Sequence, residues 1–275
     1  MDWQRLPDPA ELAAFAGAHL REAPLFNQFA LGLMAPGADL SRYPDLRLYA
    51  VADGGRCVGV VTHTPPWRPA LSRMSPAAAA CAGANLAPCG EVFGEEEAAL
   101  AFAHASAGGA PTRVVARMGL FELREVQAVG PSPGTMRVAD EADAALLQAW
   151  VAAFRDEAVP HDPAPGPEDG LRLARSGRSR FWEHQGAVVA WAHSAREVDG
   201  RWASIGPVYT PPHARGRGWA THLVAAYSAA LLAEGRVGCT LYTDLDNPTS
   251  NAIYERIGYR RIGTMCRVCT IDPRA

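Results

Sequence analysis

Lysine is absent from the 275-residue chain, so all 26 of its basic side chains are arginine. Together with heavy use of alanine, glycine and proline, that reads as compositional bias rather than mechanism. An excess of positive charge is absent too. Against the 26 arginines stand 29 acidic residues, a formal net charge of −3, which supplies no field to gather phosphate polyanions or an anionic membrane. Neither nucleic acid nor a membrane is expected as a partner. Met1 to Asp8 lacks the basic segment and apolar core of a secretory signal, and no later apolar run reaches membrane-spanning length. The expected location is cytoplasmic. Cysteine is sparse and scattered (Cys57, Cys81, Cys89, Cys239, Cys266, Cys269), which excludes a dense disulfide framework and leaves reduced thiols as the expectation. Cys266 and Cys269 are three apart in an expected strand, where they face opposite sides, and no second ligand pair follows, so no metal site is expected.

What is present describes a globular protein, with 48% hydrophobic residues, 20% charged residues and seven tryptophans. The length exceeds the usual single domain of roughly 100–200 residues, which favours two compact units. Gly130-Pro131-Ser132-Pro133-Gly134 can continue neither helix nor ladder, so the units are expected at 1–129 and 135–275. In the first, the spacing predicts a helix over 9–21, a hairpin of strands 46–52 and 57–63 around Asp53-Gly54-Gly55, helices over 76–85 and 95–105, and a strand over 112–126. In the second it predicts a short strand at 136–138 and a helix over 141–158 with Leu146, Leu147, Trp150, Val151 and Phe154 on one stripe. A proline-rich loop follows at 159–167, then a meander of strands 180–185, 187–197 and 202–210. Helix 218–234, strand 239–243, helix 249–257 and strand 259–270 complete it. The class is α+β, with a mixed, mostly antiparallel sheet flanked by helices.

Two junctions carry chemistry. In Val208-Tyr209-Thr210-Pro211-Pro212-His213-Ala214-Arg215-Gly216-Arg217-Gly218-Trp219-Ala220-Thr221 a strand end passes through a glycine-containing loop into a helix. The glycines let backbone N–H groups converge, and the helix start adds unpaired amides and a positive dipole, which together suit a phosphate. Arg215 and Arg217 add charge, and Ala220 is small enough to admit a bulky ligand. The second junction, Asp246-Asn247-Pro248-Thr249-Ser250-Asn251-Ala252-Ile253-Tyr254-Glu255-Arg256-Ile257-Gly258-Tyr259, also reads as an ordinary capped helix, with Asn247 as N-cap and Gly258 as terminator.

Together these segments resemble the GNAT superfamily of N-acetyltransferases. Arg215-Gly216-Arg217-Gly218-Trp219-Ala220 matches its pyrophosphate loop, Arg/Gln-x-x-Gly-x-Gly/Ala, and the second segment its asparagine-containing helix ending in Tyr-x-x-x-Gly-Tyr/Phe. The resemblance covers about Arg137 to Thr270. It implies the acyl-CoA N-acyltransferase fold, acetyl-CoA as co-substrate without a metal, and direct attack of an amine on the thioester. It further implies that Val208, Tyr209 and Thr210 lie along the pantetheine arm on a strand splayed from its neighbour. The segment Arg215, Gly216, Arg217, Gly218, Trp219, Ala220 and Thr221 would hold the pyrophosphate, with Asn247 and Asn251 bonding the cofactor and Tyr254 protonating the leaving thiolate.

Many relatives place a glutamate on the strand before the loop, where this chain reads Trp202-Ala203-Ser204-Ile205-Gly206-Pro207. Glu183, His184 and His193 are the nearby alternatives as general base, a water chain is another, and a strand histidine such as His193 also reads as a structural residue. The first half loosely echoes the second and resembles the degenerate first domain of tandem GNAT proteins; an unrelated α+β cap is the rival. Trp67, Phe26, Phe93 and Tyr49 are its candidates for walling the acceptor site. The expected activity is acetyl transfer to a small-molecule amine. A catalytically silent acetyl-CoA-binding sensor or scaffold and a protein acetyltransferase are the alternatives, and homodimer formation stays open.

Overall fold

A computed structural model describes residues 1–271. The first half runs β1 (Asp2–Leu6), α1 (Pro9–Glu22), α2 (Gln28–Leu33), β2 (Arg47–Asp53), β3 (Arg56–His63), β4 (Ala70–Leu71), α3 (Pro76–Asn85), β5 (Glu91–Gly94), α4 (Glu96–Ser106) and β6 (Thr112–Leu123). The second runs β7 (Thr135–Val138), α5 (Ala144–Ala158), α6 (Asp169–Arg175), β8 (Ser179–His184), β9 (Ala187–Val198), β10 (Trp202–Tyr209), α7 (Trp219–Ala233), β11 (Gly238–Asp244), α8 (Pro248–Ile257) and β12 (Arg260–Thr270). The order of strand, two helices, three strands, helix, strand, helix and strand occurs twice, so the chain is a tandem repeat of one α+β unit.

Local chemistry sets the helix starts. Asp8 accepts from the amides of Ala10 and Glu11 ahead of Pro9, Ser75 accepts from Ala78 ahead of Pro76, and Asn247 accepts from Ser250 ahead of Pro248. The sequence reading missed β1, α2, β4, β5 and α6, all too short to show a period. In α6 the reason is visible: a Cβ on Gly170 would lie 2.2 Å from the Ala144 carbonyl oxygen, so glycine is kept for close approach to α5 although it weakens the helical signal.

All strands of the described residues join one sheet of 12, ordered β1-β2-β3-β4-β5-β12-β6-β11-β10-β9-β8-β7. The last strand of each half is lodged against the other half. β6 pairs antiparallel with β11, β12 pairs antiparallel with β5, and β6 and β12 pair with each other at the centre. The connection through Gly130–Gly134 therefore joins halves whose hydrogen bonding is shared.

Apolar cores cover both faces. In the second half, α7 and α8 pack Leu223, Val224, Tyr227, Tyr254 and Ile257 on one face of the sheet, while α5 and α6 pack Leu147, Trp150 and Leu173 against Phe181 and Trp191 on the other. At the junction of the halves the sheet is strongly folded. Phe93 on β5 and Tyr242 on β11 lie 5.5 Å apart between ring centroids, although in a flat sheet the two intervening strands would hold them about 14 Å apart. Phe26, Phe29, Met118 and Met265 complete this interior wall.

Candidate cofactor cleft and acceptor chamber

Strands β10 and β11 are parallel and pair only over Trp202–Ser204 with Gly238–Thr240. Beyond Ser204 they diverge. On its other side β10 shifts register against β9 between Ser204 and Val208, where Pro207 has no N–H to offer. A bulge therefore turns β10 away from β11 and leaves the edge from Ile205 to Tyr209 unpaired on the β11 side.

The phosphate-type loop lies at the end of this splayed strand. Gly216 and Gly218 both adopt φ of +77°, the left-handed conformation that glycine takes without strain. The first amide of the following turn to find a carbonyl is His222, bonded to Gly218. The amides of Gly216, Arg217, Gly218, Trp219, Ala220 and Thr221 have no protein partner among the described residues, and they gather where the α7 dipole is positive. The Arg215 side chain turns back to the Thr210 carbonyl (2.9 Å) and Glu157, so it braces the loop, whereas Arg217 is exposed. The Trp219 ring is buried against His184, with centroids 4.9 Å apart, so this residue can offer a ligand only its backbone.

Across the cleft, α8 supplies the other expected residues. Asn251 donates from Nδ2 to the carbonyls of Asp244 and Leu245, each at 3.2 Å, and its Oδ1 is buried without a partner. Thr210 Oγ1 is likewise buried and unpaired. Asn247 is exposed and its side-chain oxygen caps α8, bonding Ser250 at 3.1 Å. Tyr254 is buried among the α7–α8 core, edge-on to Tyr259 at 5.9 Å, and burial alone pushes its phenol up to about 12. Converging amides, an orphaned amide oxygen and an open strand edge fit an extended ligand with a diphosphate at one end. Val208 packs beside this cleft, while the Tyr209 ring turns to the α5 side and donates to Glu157 at 3.2 Å.

Of the candidate bases, His184 stacks on Trp219 at the loop, whereas Glu183 and His193 stand apart from the cleft. Glu183 on β8 is held by Arg137 at 2.6 Å, and Arg137 also clasps Asp143. That network sits on the β7–β8 edge, separated from β10 by β9. His193 is buried with Nδ1 3.1 Å from Ser179 Oγ. Burial, reinforced by Arg178, Arg42, Arg172 and Arg196, depresses its pKa to about 3. It is neutral near pH 7 but far too weak to draw a proton from an ammonium.

Among the aromatics expected to wall an acceptor, Phe26 and Phe93 do reach the junction wall. Tyr49 instead stacks on Trp3 at 4.7 Å in the α3–α4 core. Trp67 lines a separate cavity of about 500 Å³ between the β3–β4, α3–β5 and α5–α6 connections, where Arg68 bridges Glu91 and Asp162. None of the loop residues 215–221 borders that cavity. The sequence reading overlooked Arg196, Tyr242 and Gln28 on the junction wall, because nothing along the chain shows which strands the sheet will fold together.

No helix of the described residues is long and apolar enough to cross a membrane, and no group of three or more metal-ligating side chains is found among them. The family described as FR47-like protein matches residues 182–268, which span both β10 and the two junctions. No curated protein matches the chain. Among solved structures, a GCN5-related N-acetyltransferase from Sphaerobacter thermophilus is similar with a TM-score of 0.63 and 18% identity, over 98% of this chain and 96% of that one. A GNAT-family acetyltransferase from Colwellia psychrerythraea is similar with a TM-score of 0.60 and 11% identity, over 99% of this chain and 100% of that one. A tandem GNAT protein from the clavulanic acid biosynthesis pathway is similar with a TM-score of 0.54 and 14% identity, over 99% of each chain. With the repeated unit and the splayed strand pair in agreement, the chain has the fold of GNAT acetyltransferases, as two units in tandem, and its second half carries the FR47-like segment.

Proposed function

We propose that the second half binds acetyl-CoA and transfers its acetyl group to the amine of a small molecule by direct attack in a ternary complex. The observation that carries this reading is the row of unbonded amides from Gly216 to Thr221 at the end of a strand whose inner edge is free. Such a row, exposed from Gly216 to Gly218, is open to an anion and suits a diphosphate.

Each residue then has a physical task. The loop amides hold the pyrophosphate, the exposed Arg217 adds charge, and the Ile205–Tyr209 edge pairs with the pantetheine amides, with Asn251 Oδ1 accepting from one of them. A freed backbone N–H of the divergent segment polarises the thioester carbonyl. The acceptor nitrogen forms the new C–N bond as the C–S bond breaks, and the Tyr254 phenol donates its proton to the departing sulfur. Ser204 occupies the stretch where relatives carry a glutamate, Glu183 is ion-paired and His193 is a poor base. Water, or His184 beside Trp219, is left to take the proton of the amine.

Isothermal titration with acetyl-CoA and with CoA, on the wild type and on Gly218→Trp, tests the reading. Saturable binding by the wild type, lost in the variant, is the expected result. A wild type that binds neither ligand overturns it.

A further inference from the structure

Interior arginines of this chain are mostly neutralised: Arg68 by Glu91 and Asp162, Arg137 by Asp143 and Glu183, Arg267 by Glu91. Arg196, on β9, is different. The residue is half-buried, and its side chain forms neither a salt bridge nor a hydrogen bond among the described residues. Its stem packs against Gly32, where an added Cβ would lie 3.4 Å from it, and its guanidinium lies 4.3 Å from the Phe29 ring centroid. Besides burial, the groups acting on it most strongly are Tyr43 and Tyr242, then Arg42 and Arg178, so the charged ones among them add positive charge. Asp39, the carboxylate facing Arg42 and Arg172, is exposed and bonded to Ser41. On the same wall the buried Tyr242 hydroxyl and Gln28 side chain face each other, and Gln28 Oε1 and the hydroxyl meet no other partner among the described residues.

Half-burying a cation without a counter-ion is costly, and the contact of its guanidinium with the Phe29 ring offsets only part of that cost. A fork of N–H donors beside a phenol is a donor set for a carboxylate.

The position of Arg196 says where that carboxylate comes from. Arg196 pairs with Ser204, and Ser204 with Thr240 is the last register before β10 and β11 separate. Ser204 and Ala203 alternate in facing, with Ala203 in the α7–α8 core, so Ser204 and Arg196 share the opposite face. Along an extended strand, Ser204 is about 20 Å from Thr210, where the phosphate loop begins. The anionic groups of CoA are thus held at the far end of the cleft, and Arg196 stands where the acyl group is delivered.

The geometry points to an acceptor that is an amine bearing its own carboxylate, an amino acid or close relative, with Arg196 clasping the carboxylate and Tyr242 donating to it. This inference rests on the transferase reading and names the substrate class of the same site. Amino acids carry their nitrogen a fixed short distance from the carboxylate, so the clasp also sets where the attacking atom lies.

The test titrates the wild type, Arg196→Met and Arg196→Gln, with and without CoA, using L-alanine, L-glutamate and L-phenylalanine, each beside its α-carboxamide. Melting temperature is recorded in amine-free buffer. The wild type is expected to bind at least one acid about tenfold or more tighter than its carboxamide. Both variants should lose that preference, keep CoA affinity within about twofold, and melt at or above the wild type. Equal binding of every acid and its amide by the wild type, a preference retained by Arg196→Met, or variants that both melt well below the wild type overturns the assignment. Failure of the wild type to bind CoA refutes the transferase reading instead, and the titration without CoA still decides the role of Arg196.

Discussion

Replacing Tyr254 by phenylalanine removes one oxygen and leaves every packing contact in place. That oxygen makes no hydrogen bond among the described residues, and the edge-on contact with Tyr259 at 5.9 Å involves only the ring. The stability change should therefore stay within about 0.5 kcal/mol. The rate is another matter. A positioned general acid contributes about 10²–10⁴-fold, or about 3–5 kcal/mol of barrier. Burial places the phenol at about 12, so it stays protonated through the working range, and the defect should be the same at pH 7 and pH 9. A thiol has a reference pKa of about 8.5, below the buried phenol, so complete transfer stays uphill and the phenol helps chiefly by hydrogen-bonding the sulfur as charge builds on it. Release of CoA measured with a thiol reagent gives kcat, titration calorimetry gives the acetyl-CoA affinity, and thermal melting gives stability. The expected pattern is a kcat loss of about a hundredfold or more with affinity and Tm unchanged. A kcat within about threefold of wild type, or a loss explained by weaker acetyl-CoA binding, refutes the role of Tyr254.

Gly216→Ala places a side chain at φ of +77°, which should cost about 1 kcal/mol and weaken CoA binding, both readable from Tm and calorimetry. Glu183→Gln loosens an ion pair at the β7–β8 edge; a stability loss below about 1 kcal/mol with kcat unchanged is expected, and a large kcat loss would restore Glu183 as base. His193 has its pKa depressed from 6.5 to about 3. Below pH 6.5 the unfolded chain takes up a proton that the folded chain refuses, so stability falls as pH drops, by about 2 kcal/mol between pH 7 and pH 5. Urea midpoints should show this slope in the wild type and a shallower one in His193→Gln. Because β6 and β12 each pair across the halves, residues 1–129 and 135–275 are proposed to fold only together; either one giving a cooperative melt alone would refute this.

Much of the cofactor cleft was legible in the sequence because it is local. A strand end, two glycines and a helix start lie within one stretch, and the amides of Gly216 to Thr221 come together through backbone conformation alone. The same holds for α8, where Asn247, Asn251 and Tyr254 follow from helix spacing and a proline-marked N-cap. The tandem repeat was faint because β1, β4 and β5 are too short to carry a period. The proposed bases misled for a related reason. Glu183 and His193 lie on the expected strands, but neither a partner such as Arg137 nor burial among arginines can be seen from a single strand.

The sequence by itself determined the α+β class, the helix boundaries set by caps and prolines, and the loop that gathers unpaired amides, since each depends on residues within a few positions of one another. Only the tertiary structure decided that β6 and β12 change places between the halves, that the sheet folds until Phe93 meets Tyr242, and that Arg196 is half-buried with no salt-bridge partner among the described residues. Those outcomes depend on pairings between strands more than a hundred residues apart, where hydrogen bonding and apolar burial summed over the whole sheet select the register and no local pattern records the choice.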